Sequence, residues 1–398
     1  MKLFFLGISL LFGLFSNAQN IKRIIDKNDV NGLQKYVETV NSFDEMIPVI
    51  FRNRELKEVH PFVYAVNNDR IELTKVFVKN KAIFEDFDAQ LSIAFVSSIS
   101  SENSELFNFL VELKPNVNQV CNLYHNYNGL MMAVVKGRED LFFNLKAKSD
   151  FNLISDEGNN LFHLIGIDSG LYSANIFNEL LLHNNLDINK VNNYGRTPLH
   201  YAAKSGSSKL FFELIKHGAK PNDLNDLYID AVVGGNLKLF KYVRQLTKQD
   251  PNWKAYPDMI IEKENTYYGL EHAIKNNNDE VVKVIFEEMF TEVKNVKQDD
   301  QIEIVTNILN SRQLENDQFW PLWEVTQSKN KKLFEYLVRS MVRFNELQIE
   351  YTAYNSFVED DYTEIAEVYF TRFEYRSAKR RFGKDYVKNL YKELGITF

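Results

Sequence analysis

The sequence predicts an all-α chain made of short helix pairs stacked in series, and three observations predict it. A small residue recurs with core residues at fixed offsets behind it. An asparagine recurs at the start of the connecting loops. One stretch, residues 192–222, carries a complete set of helix start and stop signals. The recurring small residue is Ala65, Ala133, Ala202, Ala231 and Ala273. Eight residues after each come Leu73, Leu141, Leu210, Leu239 and Val281, and four residues further Phe77, Leu145, Leu214, Val243 and Ile285. A spacing of four keeps the last two on one face of a second helix. The loop asparagines Asn118, Asn152, Asn189 and Asn222 are 34, 37 and 33 residues apart. A near-constant period of that size is the signature of a repeat architecture, in which each unit buries its apolar stripe only against its neighbours.

The clearest unit begins Asn192-Asn193-Tyr194-Gly195-Arg196 and continues Thr197-Pro198-Leu199-His200-Tyr201-Ala202-Ala203-Lys204. Thr197 precedes Pro198, and proline is favoured at the first helical position, where its missing N–H costs nothing. Gly206 and Gly218 stand where the two helices should end and a left-handed residue is wanted. Leu210 and Leu214 form the stripe of the second helix. This segment resembles an ankyrin repeat. Asn160-Leu161-Phe162-His163 resembles the same start with Asn and Leu in place of Thr and Pro, and Pro61 and Pro321 match the proline position of two more units. The resemblance implies that His200 hydrogen-bonds back to the Thr197 turn and that small Ala202 lies where helices meet. It also implies that the turn before each first helix projects as a finger, and that the first helices line a concave palm. Binding in that family uses fingertips and palm. Carried onto this chain, the implied contact residues are Tyr124, His125 and Tyr127; Asp156 and Glu157; Asn192, Asn193, Tyr194 and Arg196; and, on the palm, Tyr201 and Lys204. Tyr64, Met132, Lys136 and His272 are further palm positions.

Repeats are placed near 22–56, 57–86, 87–121, 126–154, 157–191, 193–224, 226–250, 267–295, 319–345 and 350–375. The register requires an insertion or extra helix near 290–318, and a shorter one at 249–265. Residues 19–295 are read as the array and 296–398 as degenerate repeats with a helical cap. In that cap Arg376, Lys379, Arg380, Arg381, Lys384 and Lys388 would form the polar outer face that a solenoid end needs.

The N-terminus has the layout of a secretory leader: Lys2, the apolar run Leu3–Phe15, then small residues before Gln19. Residues 1–18 are therefore expected to be removed, leaving a chain in the periplasm or outside the cell, with no membrane attachment after cleavage. Cys121 is the only cysteine, so no internal disulfide can form and packing must supply stability. The composition is that of an ordinary globular protein, 45% hydrophobic and 25% charged, with a formal net charge of −7. That charge argues against a broad nucleic-acid-binding face, which would need clustered Lys and Arg.

No catalytic or metal-binding pattern emerges. The histidines form no His-Glu-x-x-His or Cys/His spacing. Lys204-Ser205-Gly206-Ser207-Ser208 reads as a helix end followed by a helix start rather than a nucleophile elbow. A Cys121–His125 thiol–imidazole pair can be drawn, but a loop cysteine beside a loop histidine explains both. The expectation is a non-catalytic, monomeric scaffold without cofactor or metal that binds another protein. The alternative is an enzyme or effector with a cryptic catalytic region in 296–398.

Overall fold

A computed structural model describes residues 18–43, 45–50, 56–101, 103–249 and 269–292, with a few positions between 325 and 336. The leader, the two insertions, the repeats at 319–345 and 350–375 and the basic C-terminal stretch lie outside the described residues, wholly or nearly so. The chain forms two compact units, Met1–Tyr201 with Glu213–Asn222, and Ala202–Phe212 with Asp223–Phe398.

In the first unit, residues 18–26 are helical and pair with α1 (Val30–Val37). Two short antiparallel strands follow, β1 (Ile47–Ile50) and β2 (Leu56–Val59). Then come the pairs α2 (Pro61–Asn67) with α3 (Ile71–Lys79), α4 (Phe87–Ser98) with α5 (Ser104–Glu112), and α6 (Gly129–Val135) with α7 (Glu139–Leu145). The next pair is α8 (Leu161–Leu164) with α9 (Ala174–Leu180). The sixth pair, α10 (Pro198–Lys204) and α11 (Ser208–Lys216), contributes residues to both units. The second unit continues with α12 (Leu224–Gly234) and α13 (Leu237–Gln249), then α14 (Gly269–Lys275) and α15 (Asp279–Glu292). Among the described residues eight helix pairs lie in or against the stretches that the sequence register gives to repeats one to eight, the first with helical residues from 18 rather than 22.

Local chemistry fixes these helices. Asn128, Asn160 and Asp223 each accept backbone N–H groups at the start of α6, α8 and α12, satisfying donors that the helix leaves open. Pro61 stands at the first position of α2, capped by His60 Nδ1. Gly206, Gly218 and Gly235 end α10, α11 and α12 with φ of 70°, 86° and 66°. The periodic residues are the core. All five recurring alanines are fully buried, and all ten residues at the two later offsets are buried as well.

Polar side chains join repeat to repeat. Asn118 Nδ2 donates to the Lys148 carbonyl while its Oδ1 accepts from Asp150 N–H. Asn189 repeats this pattern, Nδ2 to the Gly218 carbonyl and Oδ1 from Lys220 N–H. In the second unit Asn278 Nδ2 donates to the carbonyls of Val232 and Val233 at the end of α12. At the start of the first unit Asp26 accepts from the Tyr64 hydroxyl at 2.7 Å and from Lys22 at 2.7 Å, tying the helical residues 18–26 to α2.

Candidate functional site

Three loops preceding first helices form closed turns of one design. In the first, Cys121 N–H donates to the Tyr127 carbonyl, and Tyr127 N–H to the Tyr124 carbonyl. His125 and Asn126 make the corner with φ of 50° and 56°. In the second, Ser155 N–H donates to the Asn159 carbonyl and Gly158 takes φ 79°. In the third, Asn192 N–H donates to the Arg196 carbonyl, Asn192 Oδ1 accepts from Tyr194 and Arg196 N–H, and Gly195 takes φ 74°. The corner needs a left-handed residue, which Gly supplies freely and Asn tolerates.

The turns are bonded to one another. Asp156 N–H donates to the His125 carbonyl at 3.1 Å, and Asn193 N–H to the Glu157 carbonyl at 3.0 Å. Asn193 Nδ2 adds a bond to the Asp156 carbonyl, and Asn222 Nδ2 closes the far side on the Gly195 carbonyl. Beneath them Asn192 Nδ2 bridges Asn159 Oδ1 at 2.7 Å and the Tyr201 hydroxyl at 3.0 Å. The helices below hold the row through histidines. His200 Nδ1 accepts from Thr197 N–H and lies 2.9 Å from Thr197 Oγ1, which itself donates to the Lys220 carbonyl. His163 Nδ1 accepts from Asn160 N–H, which leaves Nε2–H to donate to the Arg196 carbonyl 3.1 Å away. His163 is fully buried, and burial pushes its pKa down to about 4, so it is a neutral structural link at ordinary pH.

The sequence-derived contact residues separate into two groups on this frame. His125, Asp156, Asn193 and Tyr194 are exposed, with Tyr194 65% open to solvent. Tyr124, Glu157 and Arg196 are half-buried, and Lys204 is exposed at the end of α10. Tyr127 and Asn192 are buried and do not reach outward. Tyr127 closes its turn through its backbone, and its phenol is pushed upward by burial; Asn192 uses both ends of its amide inside the row. Tyr201 is half-buried with its hydroxyl held by Asn192. The palm assignment of Tyr64 and Met132 is corrected too. Both are buried, Tyr64 bonded to Asp26 and Met132 beside the Ser100 hydroxyl.

Electrostatically the row centres on His125, whose Nδ1 lies 3.7 Å from Asp156 and 3.6 Å from Glu157. Glu157 also accepts from Asn159 Nδ2 at 2.8 Å. Cys121 is fully buried beside Ser97, with its thiol pushed up by burial, which makes it an inert core residue. Among the described residues no group of His, Cys, Asp and Glu could hold a metal ion, and no helix is long and apolar enough to cross a membrane. The proposed alternative catalytic region, 296–398, falls almost wholly outside the described residues.

Two features of this surface are not predicted by the repeat pattern of the sequence. One is the β1–β2 hairpin in place of a short turn before α2. The other is the loss of a turn before α4 and before α12, where Asp86 and Asp223 cap the helix directly after the preceding connection. Pro48 and the brevity of the strands obscured the hairpin; the early Asp caps were a readable signal.

Residues 130–225 match the family of ankyrin repeats, in three copies. That part of the chain is made of ankyrin repeats. A stretch of 74 residues, 19% of the chain, is 38% identical to an ankyrin and IPT/TIG repeat-containing protein of Schizosaccharomyces pombe. The match spans only 6% of that relative's length, so the likeness covers repeats and not the whole protein. Within that span the turns of residues 155–159 and 192–196 stand where ankyrin fingers stand, with α8 and α10 as the first helices behind them; the turn of residues 121–127, ahead of α6, lies just before the matched span.

Proposed function

We propose that this chain is a non-catalytic scaffold that holds another protein against the fingers of its fourth to sixth repeats. The observation that carries the reading is the division of labour along the finger row. Buried Asn159, Asn192, His163 and His200 fix the backbone, while His125, Asp156, Asn193 and Tyr194 stand exposed on successive, mutually bonded turns. Such a row is pre-organised, so binding need not order it first. Tyr and Arg are residue types that anchor interfaces, and Tyr194 and Arg196 share one finger. Ankyrin repeats typically mediate protein–protein contacts and are in general non-catalytic, which agrees with this assignment.

The proposal includes export. A leader ending at Ala18 would send a chain starting at Gln19 to the periplasm or beyond, as a monomer without cofactor, acting on neither nucleic acid nor membrane. Two measurements test the whole. Fractionation and N-terminal sequencing should find the chain outside the cytoplasm and beginning at Gln19; an intact N-terminus in the cytoplasm refutes export. Capture from the cell envelope with the mature chain, read by mass spectrometry, should retain a specific protein. Tyr194→Ala with Arg196→Ala should weaken that capture about tenfold or more while melting stays unchanged. Unaltered capture by the double variant removes this finger from the interface.

A further inference from the structure

The β1–β2 hairpin presents an apolar face that no other described residue of the first unit covers. Ile47 pairs with Val59, Pro48 with Glu58, Val49 with Lys57 and Ile50 with Leu56. Side chains alternate across a strand pair. Ile47, Val49, Lys57 and Val59 therefore share one face, and that face is buried or half-buried. Pro48, Ile50, Leu56 and Glu58 share the other, and all four are exposed, Ile50 at 73% and Leu56 at 64%. A solvent-facing side of a hairpin is ordinarily polar. Here three of its four residues are apolar.

From this geometry we infer that the outer face of the hairpin docks an amphipathic segment of a partner protein, with Ile50 and Leu56 against its apolar stripe and Glu58 against a flanking Lys or Arg. The inference goes beyond the finger row but rests on the same binding role. Three observations select that occupant. Pro48 on β1 lacks an N–H to offer an incoming strand, which directs a partner to the face and not to that edge. Four side chains cover far less than the roughly 1,200 Å² at which stable interfaces begin, so neither a self-paired dimer nor any other stable complex rests on this face alone, and its occupant is a short, weakly held segment. Glu58 is an exposed carboxylate beside the apolar pair, and it supplies charge complementarity to a cation on the incoming segment. The hairpin itself is joined to the first finger from its inner face, where Lys57 Nζ donates to the Asn122 carbonyl at 3.4 Å.

The test uses the full mature chain and two short synthetic amphipathic helical peptides with the same Leu stripe, one flanked by Lys and one by Glu. Binding is read by fluorescence anisotropy and by the Ile50 δ1 methyl signal. The Lys-flanked peptide should bind more tightly than the Glu-flanked one. Ile50→Ser with Leu56→Ser should weaken it about tenfold or more, and Glu58→Lys should reverse the preference. Circular dichroism should be unchanged in every variant; if the double serine variant unfolds, Glu58→Lys and the methyl shift decide. No preference between the peptides, or binding indifferent to all hairpin changes, overturns the inference. So does a concentration-dependent dimer, or binding to anionic vesicles, that is lost with the hairpin variants. Tyr194→Ala serves as the control on the finger row. If it abolishes peptide binding and the hairpin variants do not, the hairpin reading falls and the finger reading stands. If neither matters, both fall.

Discussion

Acidification should loosen this fold through His163, by an amount that can be worked out. The ring is fully buried between α8 and the third finger. Two backbone hydrogen bonds favour the charged ring, one to the Arg196 carbonyl 3.1 Å from Nε2 and one at Lys190. Burial opposes them, and the charges of Lys190 and His200 add to it, so the folded pKa falls from 6.5 to about 4. The unfolded chain therefore takes up this proton first as pH drops. Stability from the neutral ring is complete above about pH 6.5 and is lost progressively down to about pH 4. At pH 5 the loss is about 2 kcal/mol, and below the folded pKa it approaches about 3 kcal/mol. The assay is urea unfolding at pH 7.5 and pH 5 for the parent chain and for His163→Gln, which cannot titrate. Other groups contribute to both chains, so the difference between the two pH differences isolates this ring. Parallel losses in parent and variant would mean that the hydrogen bonds hold the proton as well as water does, and would refute the account.

Other perturbations probe packing and backbone separately. Leu214→Ala, at a fully buried position on α11, should cost about 2–5 kcal/mol in urea unfolding; an unchanged midpoint would contradict the helix-pair register of the sixth repeat. Gly206→Ala should destabilise by about 1–3 kcal/mol, because φ is 70° and a methyl would run into the Gly234 carbonyl. Thermal melting that rises instead would refute that crowding. Asn189→Ala removes both bonds to the next loop and should cost about 1–3 kcal/mol. Hydrogen exchange should then speed up at Lys220 N–H, and unchanged exchange there would show that the amide is protected by something else.

How much of this was legible in the sequence follows from what each position must satisfy. Ala133 or Leu239 lies where helices pack from several sides, so size and polarity are dictated and the period shows through substitution at every other position. The fold is readable for that reason even in units that lack the Thr-Pro-Leu-His start. The finger row obeys two sets of demands at once. Asn159, Asn192 and Asn193 look alike in sequence, yet two are buried in bonds that hold the row and one is exposed with its amide reaching back to Asp156. An asparagine can hold a turn or meet a partner with the same atoms, so composition cannot say which it does; only the presence of a second polar group within reach decides. Tyr127 and Tyr194 make the same point for aromatics, one buried under its turn and one open to solvent. The hairpin went unread for a different reason. Its two strands are four residues each, one interrupted by Pro48, and its apolar residues stand on both faces, so the alternation that normally announces a half-buried strand is missing. A missing alternation that conceals a strand from sequence is also what leaves Ile50 and Leu56 facing water. Where local pattern and solvent exposure disagree in this way, covering by a partner is the physical remedy. Fingers and hairpin therefore make separable claims. The fingers can be polar and still pre-organised without a partner, whereas the hairpin's outer face gains from one, and removing its apolar pair should raise solubility even in a chain whose fingers are intact.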